Sequence, residues 1–270
     1  MTAATPIVVG VDVGGTFTDL ILMREDGTGI EVAKVPTTVE NQAFGVLAAI
    51  EKTGVALADL KTIVHGTTAT TNAMLERKIA RAGLVTTMGF RDVLELGRRT
   101  RPKPYGLKGT FVPLIPRELR TEVAGRMDAG GNEITPLDEP GLRAAIQDLI
   151  DLGCEALVIH FLHSYVNPSH ELRALEIARE MWPNRYVTAG HQILSEYREY
   201  ERGVTAAVNA SVQPVLDRYI ERLRKGLAER GYPHDLLVMQ GNGGTVSSTI
   251  VSEAAVNTVM SGPASGVMAA

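Results

Sequence analysis

The feature that most constrains this chain is an early strand that runs straight into a pair of glycines. Ile7-Val8-Val9-Gly10-Val11-Asp12-Val13 is β-branched and almost wholly apolar, the composition of a strand covered on both faces. Gly14-Gly15 then forces a turn. Thr16 to Met23 alternates loosely and ends near Asp26-Gly27, a hairpin signal, and Gly29 to Val35 supplies a third strand. The chain therefore opens on a β-β-β meander.

The period then lengthens. Ala43, Phe44, Leu47, Ala48 and Ile50 share a helix face, with Gly54 as a stop. Lys61-Thr62-Ile63-Val64-His65 predicts a strand, 69–79 a helix and 82–86 another strand. Five prolines between 98 and 136, with a turn at Asp128-Ala129-Gly130-Gly131-Asn132, predict an insertion or inter-lobe element. Leu142, Ala145, Ile146, Leu149 and Ile150 then predict a helix with Asp138 as N-cap and Gly153 as stop. Ala156–Ile159 is a buried strand, 169–181 a helix and Tyr186–Ala189 a strand. Glu196 to Arg230 is the longest helical signal, and Pro214 is expected to divide or kink it. Leu236–Met239 is a strand, and the chain closes in a further strand-loop-helix pattern around Ser261. This alternation specifies an α/β fold with a mixed sheet.

Composition excludes several functions. Lys and Arg number 27 against 31 Asp and Glu, a net charge of −4, which argues against a nucleic-acid partner. The longest apolar runs fall far short of the roughly 18 residues of a membrane span. Met1 to Pro6 lacks the charged and apolar regions of a secretory signal, so a reduced, cytoplasmic setting is expected. Cys154, the single cysteine, has no disulfide partner in the chain and reads as a small core hydrophobe. Glycine is in excess, 27 of 270 residues, so the positions of the glycines matter.

They gather at strand ends. Asp12-Val13-Gly14-Gly15-Thr16-Phe17-Thr18-Asp19 puts a carboxylate at the end of a strand, two residues without Cβ after it, and the hydroxyls of Thr16 and Thr18 beyond. Backbone N–H groups there can face phosphate oxygens, and Asp12 can hold Mg²⁺, usually through water. The same octapeptide also fits a plain hairpin turn. It is neither a Walker A loop nor a dinucleotide fingerprint. His65-Gly66-Thr67-Thr68-Ala69-Thr70-Thr71-Asn72 joins a strand to a helix start, either as an anion site or as a richly furnished cap. Gln240-Gly241-Asn242-Gly243-Gly244 and Ser261-Gly262-Pro263-Ala264-Ser265-Gly266 are each read as loops after strands. Four such loops together suit an open sheet that binds ligand beyond the carboxyl ends of its strands. His160, His163 and His170 lack metal-ligand spacing, and Arg98, Arg99 and Arg101 are either a solvated loop or a contact for an anion or partner.

These stretches resemble, in order, the landmarks of the hydantoinase A / 5-oxoprolinase family. The likeness runs through 12–19, 65–72, Gly89-Phe90-Arg91-Asp92 with Glu95-Leu96-Gly97-Arg98, and 163–171. It continues through Glu199–Arg202 with Asn209-Ala210, then 239–244 and 261–266. The resemblance implies an actin-like, ribonuclease H-like ATPase fold of the sugar-kinase type, with ATP and Mg²⁺ as cofactors. It implies activation of a carbonyl, amide enol or bicarbonate oxygen by phosphorylation, either in a cyclic-amide hydrolase or in a ketone carboxylase subunit. It also implies a companion hydantoinase B-type subunit or domain. A non-catalytic actin-like nucleotide-binding or assembly module is the reading from another class.

By the same resemblance Asp12, Gly14, Gly15, Thr16 and Thr18 contact phosphate or Mg²⁺. Thr67, Thr68, Thr70 and Asn72 sit on the substrate or γ-phosphate side. Gly243, Gly244, Ser261 and Gly262 belong to the nucleotide-binding set. A second Asp-x-Gly-Gly-Thr loop is expected beyond Ala270. The domains expected are therefore an N-terminal lobe, 1–190, and the beginning of a second, 191–270, inactive as a segment on its own.

Overall fold

The expected strand–helix alternation folds as follows in a computed structural model that describes residues 5–38, 42–98, 105 and 112–262. In chain order the elements are β1 (Ile7–Val13), β2 (Phe17–Arg24), β3 (Glu31–Pro36), α1 (Gln42–Lys52), β4 (Leu60–Thr67), α2 (Ala69–Leu75) and β5 (Ala82–Thr87). Next come α3 (Val93–Leu96), β6 (Arg120–Val123), β7 (Arg126–Met127), β8 (Glu133–Thr135), α4 (Glu139–Asp151), β9 (Ala156–His160) and α5 (Ser169–Met181). The last are β10 (Val187–Ala189), α6 (Gly190–Ile193), α7 (Glu199–Glu229), β11 (Leu236–Met239) and β12 (Thr245–Ser247), followed by 3-10 turns at Val251–Thr258.

The chain forms two compact units, 1–78 with 215–270, and 79–214. These units are set by contacts in the fold and cut the chain elsewhere than the sequence segments 1–190 and 191–270. The reason lies in β11, which pairs parallel to β4 with Leu236 opposite Ile63, so the returning chain completes the first sheet.

That first sheet has the order β12-β11-β4-β1-β2-β3. β1, β4 and β11 are parallel, and β2 runs antiparallel between β1 and β3. This is a mixed α/β sheet of the actin-like class. The β2–β3 hairpin turns at Asp26-Gly27, where Gly27 takes φ +76° and the Asp26 carboxylate accepts the Thr28 N–H at 2.9 Å. Val9, Val11, Val13 and Leu20 are buried on the side where α1 places Val46 and Ile50. The opposite side corrects the expectation of a doubly covered strand. Ile21 and Val32 there remain 53% and 71% exposed, and the alternation of Gly10 and Asp12 with buried valines is the pattern of a half-covered strand.

The second unit holds a parallel sheet, β10-β9-β5-β6. Its core joins Leu84 and Val85 to Leu142, Ile146 and Leu149 of α4 and to Ala174 and Ile177 of α5. β6 belongs to this sheet, so part of the stretch expected as an insertion is integral to the unit. The β7–β8 hairpin turns over Asp128–Asn132 as expected. Cys154 is buried, and burial pushes its thiol up. Asp138 caps α4, its side chain accepting the Gly141 N–H at 3.1 Å. Asp138→Ala is expected to cost about 1 kcal/mol in chemical denaturation.

Three element boundaries differ from expectation. α2 stops at Leu75 because Arg77 enters the left-handed region at φ +55°, and the N–H groups of Arg77 and Lys78 close onto the Met74 and Ala73 carbonyls. α7 continues through Pro214, with buried Val212 and Leu216 anchoring the helix on either side. The segment before Ser261 is the 3-10 run Val251–Thr258, not a strand. No helix among the described residues is long and apolar enough to cross a membrane.

Candidate active site

Asp12 stands at the end of β1 with its side chain on the open face of the sheet. In the antiparallel register it lies opposite Asp19 of β2, and in the parallel register beside Gly66 of β4. A Cβ at Gly66 would lie 2.9 Å from Asp12 Oδ1, so a larger residue there would displace the carboxylate. Partial burial, and then the charge of Asp19, pushes the Asp12 carboxyl above its ordinary value. Asp19 is bound at 2.8 Å by Lys34. A cavity of ≈ 210 Å³ opens between Gly10, Asp12, Asp19, Val64, Gly66 and Met239. A carboxylate whose ionisation is disfavoured by burial and by a neighbouring carboxylate, with open space beside it, is one that a divalent cation would satisfy. Asp19 received no role from the sequence. Counting the β1–β2 hairpin register about the glycine pair would have brought it opposite Asp12.

The turn after β1 is exposed at Gly15 and Thr16, and Gly14 is half-buried. Thr18 behaves differently. Its side chain is fully buried and shares a 3.1 Å hydrogen bond with the Thr37 hydroxyl, which lies 2.9 Å from the Gly14 carbonyl. Thr18 thus braces the turn from beneath, and its hydroxyl does not open onto the Asp12 side.

The 65–72 segment is the centre of the site. The Thr68 hydroxyl donates to the Val13 carbonyl at 3.1 Å, tying this turn to β1, and accepts from Asn72 Nδ2 at 3.2 Å. Thr68, Thr71 and Asn72 are half-buried, whereas Thr67 and Thr70 are fully buried. Thr70 bonds Thr258 at 3.0 Å, Met260 donates its N–H to Thr71 at 2.9 Å, and Ser261 donates its hydroxyl to the Thr67 carbonyl at 3.0 Å. A Cβ at Gly262 would touch Thr68 Cγ2 at 3.4 Å. The structure therefore brings Asp12, the turn at 14–16, the 65–72 segment and 258–262 together. The hydroxyls of Thr67, Thr70 and Ser261 serve the chain itself.

Gly243 and Gly244 lie in the β11–β12 hairpin, which closes on itself through Gln240 N–H to Gly244 O at 2.8 Å and Gly244 N–H to Asn242 Oδ1 at 2.9 Å. The Gly241 N–H reaches the Asn257 carbonyl, which anchors this hairpin to the segment leading into Ser261.

The remaining landmarks build the second unit. Glu171 is fully buried and accepts the N–H of Phe161 at 2.8 Å, the N–H of His191 at 2.9 Å and His191 Nδ1 at 2.6 Å. The buried Arg202 guanidinium donates to the carbonyls of Glu196 and Phe161. Glu122 holds the N–H groups of Gly89 and Arg91, and Asn209 donates to Thr188 at 3.1 Å. Of the basic cluster, Arg98 is paired with Glu201, and Arg99 and Arg101 lie outside the described residues.

Known proteins are similar to this chain in sequence and in fold. The profile of the hydantoinase/oxoprolinase N-terminal region matches residues 8–182, and that of hydantoinase/oxoprolinase matches residues 202–270. An uncharacterized protein of Methanocaldococcus jannaschii is 39% identical over 97% of this chain and 39% of its own length. Caprolactamase subunit alpha of Pseudomonas jessenii is 35% identical over 97% of this chain and 39% of its own length. The crystal structure of that organism's ATP-dependent caprolactamase superposes with a TM-score of 0.86 at 36% identity, over 96% of this chain and 39% of that one. Nucleotide-free acetone carboxylase gives 0.85 at 30% identity, over 98% and 40%. The chain thus spans about two fifths of the length of the curated relatives it matches. With one profile covering well over half of the sequence and a second matching most of the remainder, the chain belongs to the hydantoinase/oxoprolinase family.

Proposed function

We propose that this chain is the nucleotide-handling portion of an ATP-dependent hydrolase of cyclic amides. The observation that carries the reading is the convergence of Asp12, the Gly14–Thr16 turn and the 65–72 segment in one lobe. Relatives named as caprolactamase subunit alpha and 5-oxoprolinase support the substrate class.

Asp12, with Asp19 behind it, would hold Mg²⁺. The exposed turn at Gly15 and Thr16 would present N–H groups and a hydroxyl to phosphate oxygens. Thr68, Thr71 and Asn72 would orient the group that receives the phosphoryl. ATP, when bound, supplies a phosphoryl group that turns an amide oxygen into a good leaving group. Thr18, Thr67, Thr70 and Ser261 hold the frame, and Gly243, Gly244 and Gly262 are proposed to border the nucleotide. Relatives named as subunits support a companion subunit, proposed to be of the hydantoinase B type; a cytoplasmic setting is proposed with it. The 270-residue segment alone is expected to turn over no ATP.

The intact protein with its companion, given MgATP, is expected to release ADP when a lactam, 5-oxoproline or a hydantoin is added. Entry of bicarbonate label into product from a ketone would move it to the carboxylases, a reading favoured by the likeness to acetone carboxylase. Absence of substrate-dependent ADP release with every candidate would overturn the enzyme reading and leave a nucleotide-binding or assembly module.

A further inference from the structure

The first unit carries a second cleft, between α1 and α7, that the phosphate-handling account leaves unused. The sequence places Phe44 on the inner face of α1 with Ala43 and Leu47, yet Phe44 is 55% exposed while those two are buried. Phe44, Ala43, Leu47 and Gly226 form the apolar part of the cleft, whose volume is ≈ 210 Å³. Gly226 lets Leu47 pack against α7. A Cβ there would lie 2.8 Å from Leu47 Cδ1, so a side chain would displace the leucine and fill the cleft.

The charged lining is unbalanced. Arg222, Lys225 and Arg230 border the cleft against Glu229 alone. Arg230 lies 3.0 Å from Glu51 and Lys225 3.9 Å from Glu229, and exposed pairs of this kind hold little energy. Among the described residues Arg222 makes no hydrogen bond or ion pair. From 218 to 230 the chain carries Arg218, Arg222, Arg224, Lys225 and Arg230 against Glu221 and Glu229. Arg218, Arg222 and Lys225 follow at spacings of four and three, which puts them on one stripe of α7. A chain of net charge −4 thus concentrates positive charge beside an exposed phenylalanine.

We infer that this cleft docks an acidic segment of the companion subunit, which sets carboxylates against Arg222 and Lys225 and an apolar side chain beside Phe44. An apolar recess with a charged rim is the composition of an interface, and the sign of the rim selects an acidic partner. Two other occupants fit less well. A second copy docking through the same face about a two-fold axis would set the basic stripe against itself. A membrane surface asks for a broad apolar face, whereas here the apolar part is recessed and Phe44 is its one exposed large side chain. The inference rests on the companion proposed above and not on which reaction the complex carries out.

Arg222→Glu combined with Lys225→Glu reverses the rim, and Phe44→Ala removes the apolar contact. All three side chains are exposed, so melting temperatures should stay near that of the wild type. In calorimetric titration of the intact protein with its companion, the reversal is expected to weaken association about ten- to a hundredfold, and Phe44→Ala about tenfold. Raising NaCl from about 50 to about 500 mM should weaken the wild-type complex and not that of the reversed variant. Amide exchange over 43–52 and 218–230 should slow when the companion binds. Association of both variants within about twofold of wild type, or protection elsewhere with none over these two stretches, would overturn the docking site. So would charge-dependent binding of this face to a second copy, or to vesicles of anionic phospholipid, in place of the companion. If the wild type binds no companion, that reading fails and the docking site falls with it, whereas a wild-type complex indifferent to the variants overturns the docking site alone.

Discussion

Asp12→Ala should abolish substrate-dependent ATP turnover, by at least about a hundredfold, while leaving the melting temperature unchanged or slightly raised. The two halves of this expectation have separate causes. Activity falls because Asp12 is the carboxylate beside the open cavity and the glycine turn. Stability holds because Asp12 contributes nothing to the core and its ionised form is disfavoured by the fold. Its carboxyl is raised, first by burial and then by Asp19, so ionisation weakens the fold as pH rises through the acid range. Alanine relieves that repulsion at neutral pH. MgATP at a hundred times its dissociation constant should stabilise the wild type by about 2.7 kcal/mol and the variant by nothing measurable. ADP release and thermal melts with and without MgATP check both halves. Turnover within threefold of wild type would remove Asp12 from its role, and a large fall in melting temperature would make it a structural residue.

Local signals were legible in the sequence and long-range ones were not. α5 falls on the predicted bounds because its apolar spacing lies within one segment. The Asp138 cap and the Asp128–Asn132 turn are equally local. The open face of β1 was misread because a β-branched run looks alike in half-covered and fully covered strands, although Gly10 and Asp12 carried the alternation. Which threonines of the 65–72 segment face outward was hidden for another reason. Thr70 and Thr71 are turned by Thr258 and Met260, nearly two hundred residues away, and no periodicity within the segment encodes that contact. The return of β11 to β4 is of the same kind. Strand identity was legible, and its neighbour was set by a unit of 136 residues folded between them. Gly66 was read as loop glycine, but it lies within β4, beside the Asp12 carboxylate of the adjacent strand.

Glu171→Ala should be among the most damaging single changes in the second unit, at about 3–5 kcal/mol. Burial alone would raise this carboxyl. The His191 ring and two backbone N–H donors more than offset it, so its value lies below the ordinary one and Glu171 is ionised at neutral pH. Removing it strands three donors in a dry interior, the N–H of Phe161, the N–H of His191 and the His191 ring. It also takes away a charge that favours the buried Arg202 guanidinium, which grips the Phe161 carbonyl from the other side. For a unit of this size the loss corresponds to a fall of roughly 6–20 °C in melting temperature. Glu171→Gln keeps one acceptor oxygen and should lose about half as much. The sign with pH follows from the lowered carboxyl: its stabilisation is present above the ordinary carboxylate range and is lost as pH falls through the folded value. The wild type should therefore lose stability on acidification more steeply than Glu171→Gln. Melts of the three proteins at neutral and acid pH test this. A loss below about 1 kcal/mol for Glu171→Ala would show that the 163–171 landmark does not brace the fold.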